Sequence, residues 1–323
     1  MSLHSLVKDF RENFYDLVEQ IPEGKVTTYG DLAEALGDKR AARAVGRMLN
    51  KNPRPIEVPC HRVVRSDGSI GGYANGVDKK IELLGKEGLE VDNDNIKNFK
   101  QMRFNDFESE YPLHELRKKQ LDDRDDIDPN NYINYNDETV IGGVDVSYED
   151  DTAFSCLTLF KDGEKIGMIT RKNEVKFPYI STYLSFREGP VLIDLIQSTD
   201  EKLDVLMVDG NGVMHPKGIG LASHIGVLLD LPTIGVAKSK LCGDQVNEID
   251  QDNVQSRIEL NGKLIGYALL SSDRAKKPIY VSSGHKVSVE TAIKIVKDYC
   301  EYKIPEPIRK AHMIANKRRK NDE

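Results

Sequence analysis

The sequence predicts a two-domain protein: a small, mainly α module with helix-turn-helix character, followed by a larger α/β domain. Three observations carry this. The chain has 323 residues, and domains typically run to roughly 100–200 residues. Short helical patterns separated by tight turns fill residues 1–90, whereas β-type runs alternate with helical ones after residue 139. Charge is partitioned in the same way. Residues 1–90 hold 14 basic and 14 acidic side chains, residues 91–139 hold 7 and 13, and residues 140–323 hold 25 and 26. Nearly all of the net −7 therefore sits in the middle stretch. The predicted layout is a domain over 1–90, an acidic, Asn-rich linker over 91–110, and a domain over 111–323.

The elements follow in order. Leu6, Phe10, Phe14, Leu17 and Val18 fall at helical spacing until Ile21-Pro-Glu-Gly24 stops the run. Thr27 or Thr28 can cap a short helix to Leu36, with Leu32 and Ala33 on its apolar side. Gly37-Asp38 breaks it, and a third helix is expected over about 40–50. Three short helices with tight turns are the pattern of a helix-turn-helix module. Val63-Val64 and Ile70 flank the turn signal Ser66-Asp-Gly68, which reads as a small hairpin or wing. Helix returns over 78–86. Residues 91–110 lack periodicity, and a short charged helix is expected over 112–121. Strands are then predicted at 139–147, 153–160, 165–171, 205–209, 233–236, 263–270 and 279–282, and helices at 190–197, 219–229 and 289–299. Three antiparallel-looking strands followed by alternating elements suggest a mixed sheet with helices on its faces. The basic tail Lys317-Arg-Arg-Lys320 reads as a solvated end.

Composition excludes several classes. No apolar run approaches the ~20 residues of a membrane helix, and Lys8 interrupts any signal-like start. The four cysteines Cys60, Cys156, Cys242 and Cys300 are scattered. Without a CxxC pair, neither a zinc ribbon nor a disulfide framework is expected. The expectation is a cytoplasmic protein, probing no membrane and acting as a monomer.

Two constellations carry chemistry. Arg40, Arg43, Arg47 and Lys51 lie on one face of the third helix, opposite Ala42, Val45 and Leu49. This stripe fits DNA phosphates, although it fits a solvated face as well. Directly after it stands Pro59-Cys60-His61-Arg62. A cysteine is usually an inert small hydrophobe, but one beside a histidine and basic neighbours can be a thiolate nucleophile. The stretch 5–90 resembles the C-terminal, catalytic and DNA-binding half of O6-alkylguanine-DNA alkyltransferases. The matching motifs are Val26-Thr-Thr-Tyr-Gly-Asp-Leu-Ala, Ala41-Ala-Arg-Ala-Val-Gly46, Asn52-Pro-Arg-Pro, Ile56-Glu-Val-Pro-Cys-His-Arg-Val-Val64, Gly71-Gly-Tyr-Ala-Asn-Gly76 and Glu87-Gly88. The resemblance implies a winged helix-turn-helix fold with Cys60 as alkyl acceptor and His61 and Glu87 as its proton relay. It further implies Arg43 as the finger that fills the stack, Tyr29 as the residue that pushes the target phosphate, Asn52 as the hinge, and Tyr73 in the base pocket. Alkyl transfer of this kind uses no cofactor and runs once per molecule. Ala74 departs from the family's usual serine and removes a hydrogen bond from the pocket.

The second constellation is a set of acids at strand ends. Asp145 lies in Gly142-Gly-Val-Asp-Val-Ser-Tyr148, and Asp209 ends Asp204-Val-Leu-Met-Val-Asp209. Carboxylates among apolar residues are costly unless paired or metal-bound. With Glu188 in Phe186-Arg-Glu-Gly189 they favour a divalent cation, Mg²⁺ or Mn²⁺ rather than zinc, because the ligands are oxygens. His215, Lys238 and His285 stand where strands give way to loops, which is where sites gather in α/β sheets. The stretch 111–315 resembles endonuclease V, the deoxyinosine 3′ endonuclease. Its motifs are Gly143-Val-Asp-Val-Ser-Tyr, Phe177-Pro-Tyr-Ile, Leu184-Ser-Phe-Arg-Glu-Gly-Pro190, Val208-Asp-Gly-Asn-Gly-Val-Met-His-Pro216, Ile234-Gly-Val-Ala-Lys-Ser239 and Gly284-His285. This implies a ribonuclease-H-like fold with Asp145 and Asp209 as metal ligands and Glu188 as ligand or general base. It also implies Lys238 and His215 on the phosphate side, His285 near the metal, and Tyr179 in a strand-separating wedge. Ser181 and Ser283 stand where the family usually has prolines.

Together the readings predict a bifunctional DNA-repair protein that acts on damaged DNA, at O6-alkylguanine and at deoxyinosine. Both lesions demand an extruded base. Two other readings stay open from sequence: a non-reactive lesion sensor recruiting the endonuclease, and an inosine-directed RNA endonuclease.

Overall fold

A computed structural model describes residues 3–250, 254–272 and 275–321. The chain divides into two compact units. Unit 1 comprises Met1–Lys118 and Lys176–Tyr183, and unit 2 comprises Lys119–Val175 and Leu184–Glu323.

Unit 1 begins with α1 (Leu3–Val7) and α2 (Phe10–Glu19), whose Phe14 and Val18 are fully buried. β1 (Thr27–Thr28) leads into α3 (Tyr29–Ala35). Thr28 caps α3: its Oγ1 accepts the Asp31 amide at 3.0 Å, and Asp31 Oδ2 accepts the Thr28 amide at 3.1 Å. This reciprocal box satisfies two otherwise orphaned helix donors. A 3₁₀ turn, Lys39–Ala41, precedes α4 (Ala42–Asn50). Arg43 and Arg47 are exposed on α4, while Val45 and Leu49 are buried. Arg40, expected on the same stripe, lies in the 3₁₀ turn instead.

After the Cys60–Arg62 turn comes β2 (Val63–Val64). The turn expected at Ser66-Asp-Gly68 is closed by Gly68 N to Arg65 O at 3.0 Å and Arg65 N to Ser69 O at 2.9 Å, while the strand partner of β2 is β1, in parallel, with Thr27 opposite Val63. α5 (Val77–Lys86) follows. Residues 91–110, expected as a linker, pack within unit 1. They form the hairpin β3 (Val91–Asp92) and β4 (Asn95–Ile96) and the short helix α6 (Phe99–Met102). Ile96 is buried with Val26, Val64, Ile70, Leu84 and Leu89. Arg103 Nε donates to Asp31 Oδ2 at 2.9 Å. The acidic stretch thus ends in ordered contacts, and the unit boundary falls later, inside α7 (Pro112–Asp125).

Unit 2 is built on a nine-stranded mixed sheet. β5 (Ile141–Glu149), β6 (Thr152–Lys161) and β7 (Glu164–Glu174) form an antiparallel meander. α8 (Leu184–Ile196) leads to β8 (Val205–Asp209), which pairs in parallel with β5. α9 (Leu221–Leu229) leads to β9 (Thr233–Ala237), parallel to β8. β10 (Asp244–Gln245), β11 (Gln255–Leu260), β12 (Lys263–Leu269) and β13 (Ile279–His285) extend the sheet antiparallel beyond β9, in the order β10-β11-β12-β13-β9. α10 (Val289–Asp298) and α11 (Glu306–Lys320) close the chain.

Residues alternate between the faces of a strand, and the core follows this. Val205 and Met207 pack with Ile293, Val296 and Ile308 of α10 and α11, while Leu206 and Val208 pack with Leu192, Leu195 and Ile225 of α8 and α9. Both faces are covered at the central strands, so β8 and β9 read as short apolar runs, whereas the outlying β7 is polar and largely exposed. The basic end Lys317–Lys320 is the solvated last turn of α11, whose earlier residues Ala311 and Ala315 are buried against Cys156 of β6. Gly143 makes this approach possible. A Cβ there would stand 2.3 Å from the Pro307 backbone, and Thr158 Oγ1 donates to Pro307 O at 2.7 Å on the same contact.

Two candidate active sites

In unit 1, the Cys60–Arg62 turn places a cysteine and a histidine side by side, 5% and 2% exposed. Asn52, just beyond α4, donates through Nδ2 to Val58 O at 3.0 Å and to Cys60 Sγ at 3.2 Å. Its Oδ1 accepts the Arg54 amide at 2.9 Å. One side chain thereby ties the end of α4 to the loop that carries the thiol. His61 Nε2 lies 2.7 Å from Glu87 Oε1. A carboxylate only accepts, so the neutral ring carries its proton on Nε2 and leaves Nδ1 as the lone-pair nitrogen. Nδ1 has no hydrogen-bond partner among the described residues.

Electrostatics favours this tautomer and charge. Burial pushes the His61 imidazolium down, more than Glu87 raises it, so the ring is neutral at neutral pH. Burial would raise Glu87, but hydrogen bonds from Arg62 and then His61 outweigh it and hold its carboxyl below the usual range. Arg62 grips Glu87 with Nε at 2.9 Å from Oε2 and Nη2 at 2.8 Å from Oε1, and Nη1 donates to Ile21 O at 2.6 Å. The sequence reading passed over Arg62, although its place beside Cys60-His61 is a usable signal. A cavity of about 290 Å³ opens at the thiol, lined by Tyr29, Leu49, Cys60, Gly72, Tyr73 and Ala74. Burial raises the Tyr29 and Tyr73 phenols. The Tyr73 and His61 rings meet edge-on at 6.5 Å. Thus Tyr29, Asn52, Cys60, His61, Tyr73 and Glu87 come together, while Arg43 stands exposed on α4.

In unit 2, the register pairs Val144 of β5 with Val208 of β8. The next residue on each parallel strand is therefore an aspartate, Asp145 beside Asp209. On β9, Val236 lies opposite Asp209, and Lys238 two residues later donates through Nζ to Asp209 Oδ2. Burial, and then the charges of Asp145 and Asp209, push Glu188 of α8 up to about 8. Burial and the Asp209 charge push Asp145 up to about 6. Burial and neighbouring carboxylates thus disfavour ionisation of Asp145 and Glu188. The all-oxygen donor set suits a hard divalent cation. Among the described residues no three His, Cys, Asp or Glu side chains are arranged to hold an ion as they stand, and Lys238 is the cation in contact with Asp209.

The histidine at this cluster is one the sequence reading missed. His312 of α11 places Nδ1 2.9 Å from Asp145 Oδ2. Asn316, one turn on, lies 2.9 Å from His312 Nε2, and Ser147 Oγ donates to Asn316 Oδ1 at 2.9 Å. His285 is placed elsewhere. It pairs with Thr233, at the other end of β9 from Val236. Its Nδ1 accepts the Asp128 amide at 3.1 Å, and its Nε2 lies 3.6 Å from Asp230. The structure therefore does not bring His285 to the carboxylates. His215 is buried on the loop after β8, with Nδ1 accepting the Lys217 amide at 3.2 Å. Tyr179 falls within unit 1, half-exposed.

Comparison with known proteins matches both halves. Residues 122–313 match the family model described as endonuclease V, and residues 9–89 match that of the 6-O-methylguanine DNA methyltransferase DNA-binding domain. A bifunctional methyltransferase/endonuclease of Picrophilus torridus is 38% identical over 94% of this chain and 95% of its own length. The relative of the same description in Thermoplasma volcanium is 36% identical over 95% of this chain and 89% of its own. Among solved structures, human endonuclease V overlays with a TM-score of 0.60 at 32% identity, covering 65% of this chain and all of that one. Ciona intestinalis endonuclease V, solved with a DNA containing an inosine followed by a ribo-adenosine, overlays with a TM-score of 0.58 at 33% identity, covering 65% of this chain and 98% of that one. With a thiol pocket in one unit and a carboxylate cluster in the other, the chain belongs to the bifunctional methyltransferase/endonuclease family of DNA-repair enzymes.

Proposed function

We propose that the chain removes an alkyl group from O6-alkylguanine in DNA onto Cys60, once per molecule, and nicks DNA at the second phosphodiester 3′ to deoxyinosine. The observation that carries the first half is His61, neutral, anchored through Nε2 on Glu87 and with Nδ1 open. The Cys60 thiol proton passes through a water to His61 Nδ1, and Glu87 stabilises the resulting imidazolium. Cys60 Sγ then forms a bond to the alkyl carbon as the carbon–O6 bond breaks, and the guanine leaving group takes a proton back. Asn52 holds the sulfur, Tyr73 lines the base pocket, Tyr29 pushes the target phosphate and Arg43 fills the stack. The product is a thioether, and no side chain in the pocket regenerates the thiol.

For the second half, the carrying observation is the Asp145–Asp209–Glu188 charge cluster. Asp145 and Asp209 would hold the cation. Mg²⁺, with Mn²⁺ as its substitute, supplies Lewis acidity toward the phosphate. Glu188 accepts the proton of the attacking water or joins the ligands. Lys238 neutralises charge at Asp209 and on the phosphate. His312 orients Asp145. His215 approaches the phosphate from its loop. Support for the substrate comes from the Ciona relative's inosine-containing DNA.

One parallel assay tests both. Cys60→Ala and Asp209→Ala are incubated with O6-methylguanine DNA, and with deoxyinosine DNA and inosine RNA in Mg²⁺. Intact-mass measurement is expected to show one methyl on the Cys60 peptide of the parent and of Asp209→Ala only. Nicking of deoxyinosine DNA is expected to vanish only in Asp209→Ala. No methyl gain on the parent would leave unit 1 a lesion sensor, and preferential cutting of the RNA would make unit 2 an RNA enzyme.

A further inference from the structure

The segment Lys176–Tyr183 leaves β7 and returns to α8, yet it packs as part of unit 1. Phe177 and Ile180 are buried, and the Phe177 ring meets Phe10 of α2 at 4.7 Å. The Tyr183 hydroxyl donates to Asp38 Oδ2 at 3.0 Å, just ahead of the Arg40 turn. Arg117 of α7 stacks 4.0 Å over the Tyr183 ring, and its Nη2 donates to Thr182 Oγ1 at 2.7 Å. Arg40 Nη1 donates to the same hydroxyl at 3.2 Å. Between these anchors Tyr179 is left 51% exposed.

Thr182 has φ +70°, a genuine outlier for a β-branched residue. Such a conformation persists only where the surroundings over-determine it. Here two guanidinium groups and the flanking Tyr183 anchor do so. An exposed aromatic on a rigid mount can stack on or part bases, because every base has a π-face.

We infer that the N-terminal unit is the mount of the endonuclease's strand-parting segment, with Arg117 and Asp38 as positioning residues that hold Tyr179 for use on duplex DNA. This rests on the proposed deoxyinosine nicking and on Tyr179 acting in it. It explains why Arg40 leaves the basic stripe of α4, since its guanidinium serves Thr182. It also assigns a role to residues of the alkyltransferase half in the other reaction, one that needs no chemistry at Cys60.

The test compares single-turnover nicking of deoxyinosine in duplex DNA with nicking of the same base in single-stranded DNA, using the full chain. Arg117→Ala is expected to slow duplex nicking about tenfold, the loss of a charge-assisted hydrogen bond, while single-strand nicking and methyl uptake at Cys60 stay unchanged. Tyr183→Phe keeps the ring under Arg117 and removes the hydroxyl's bonds, to Asp38 Oδ2 and, at 3.4 Å, to Leu113 O, so a smaller duplex-specific loss is expected. Tyr179→Ala should match Arg117→Ala, and the double variant should be no worse than either. Unchanged duplex nicking in Arg117→Ala alongside a duplex defect in Tyr179→Ala would overturn the mount alone. Equal losses on both substrates would also overturn it, as general destabilisation. A silent Tyr179→Ala would overturn the wedge reading and the mount with it.

Discussion

At the scale of single residues, the arrangement around the thiol fixes where protons can sit. Glu87 is clamped by Arg62 and so stays ionised, which forces the His61 proton onto Nε2. Replacing Glu87 by Gln removes the charge that stabilises the imidazolium. Methyl transfer should then slow by about 10²-fold or more, with lesion binding retained, as single-turnover transfer and a separate binding titration would show. A Glu87→Gln variant that transfers at the parental rate would end the relay assignment. The pH profile follows with its sign. Burial lowers His61 below its ordinary 6.5, so the neutral base survives below that value. Transfer should hold level from neutrality down past pH 6.5, and fall only as pH drops through the depressed pKa. A fall already centred above 6.5 would contradict a buried, neutral His61.

At the scale of elements, long-range packing decides what local pattern could not. The cysteine motif and the strand-ending aspartates were legible because each is a short local string, and parallel β5–β8 pairing then aligns the acids without further instruction. The missed histidine, His312, sits on α11, where the buried residues flanking it are Ala311 and Ala315. Small residues give a weak hydrophobic signal, so only the basic end Lys317–Lys320 stands out in this stretch of the sequence. The pairing of β2 with β1 rather than with Ile70 joins strands 36 positions apart (63 − 27), which no turn signal encodes. Residues 91–110 looked like linker because their buried side chains, such as Ile96, are sparse among polar ones, and because Arg103 finds Asp31 72 positions away.

Two predictions belong to this scale. Gly143→Ala would drive a Cβ into the Pro307 backbone and push α11 off β5. His312 would withdraw from Asp145, so nicking should fall at least tenfold while methyl transfer is untouched. Normal nicking by Gly143→Ala would show that α11 does not position Asp145. In the other unit, burial would raise Asp31, but the bonds from Arg103 and Thr28 outweigh it and hold it below its ordinary 3.8. A depressed carboxyl stabilises the fold above its unfolded value, and that contribution is lost as pH falls through the folded pKa. Asp31→Asn should therefore cost about 1–2 kcal/mol at neutral pH and little in strong acid, measured by denaturant unfolding at both.

At the scale of the whole molecule, the net charge of −7 says little about DNA, because function lies in local fields. The strongest of these is the carboxylate cluster of unit 2. Its groups are raised, not depressed: Asp145 to about 6 and Glu188 to about 8. Between pH 4 and 8 these two groups therefore hold more protons in the folded state than in the unfolded chain, and the cluster's contribution to stability declines as pH rises through that window. A divalent cation seated on Asp145 and Asp209 would replace those protons, since metal binding requires deprotonated ligands and releases protons. Mg²⁺ should thus raise the unfolding temperature of the parent protein most above pH 8 and least near pH 5. At a hundredfold excess over its dissociation constant, the gain is about 2.7 kcal/mol. Asp145→Ala and Asp209→Ala should lose this response, and both should be less sensitive to rising pH without metal, because one repelling charge is gone. Calorimetry with and without Mg²⁺ across that pH range checks all three. A Mg²⁺ stabilisation that is equal at pH 5 and pH 8, or that persists in Asp209→Ala, would place the cation elsewhere.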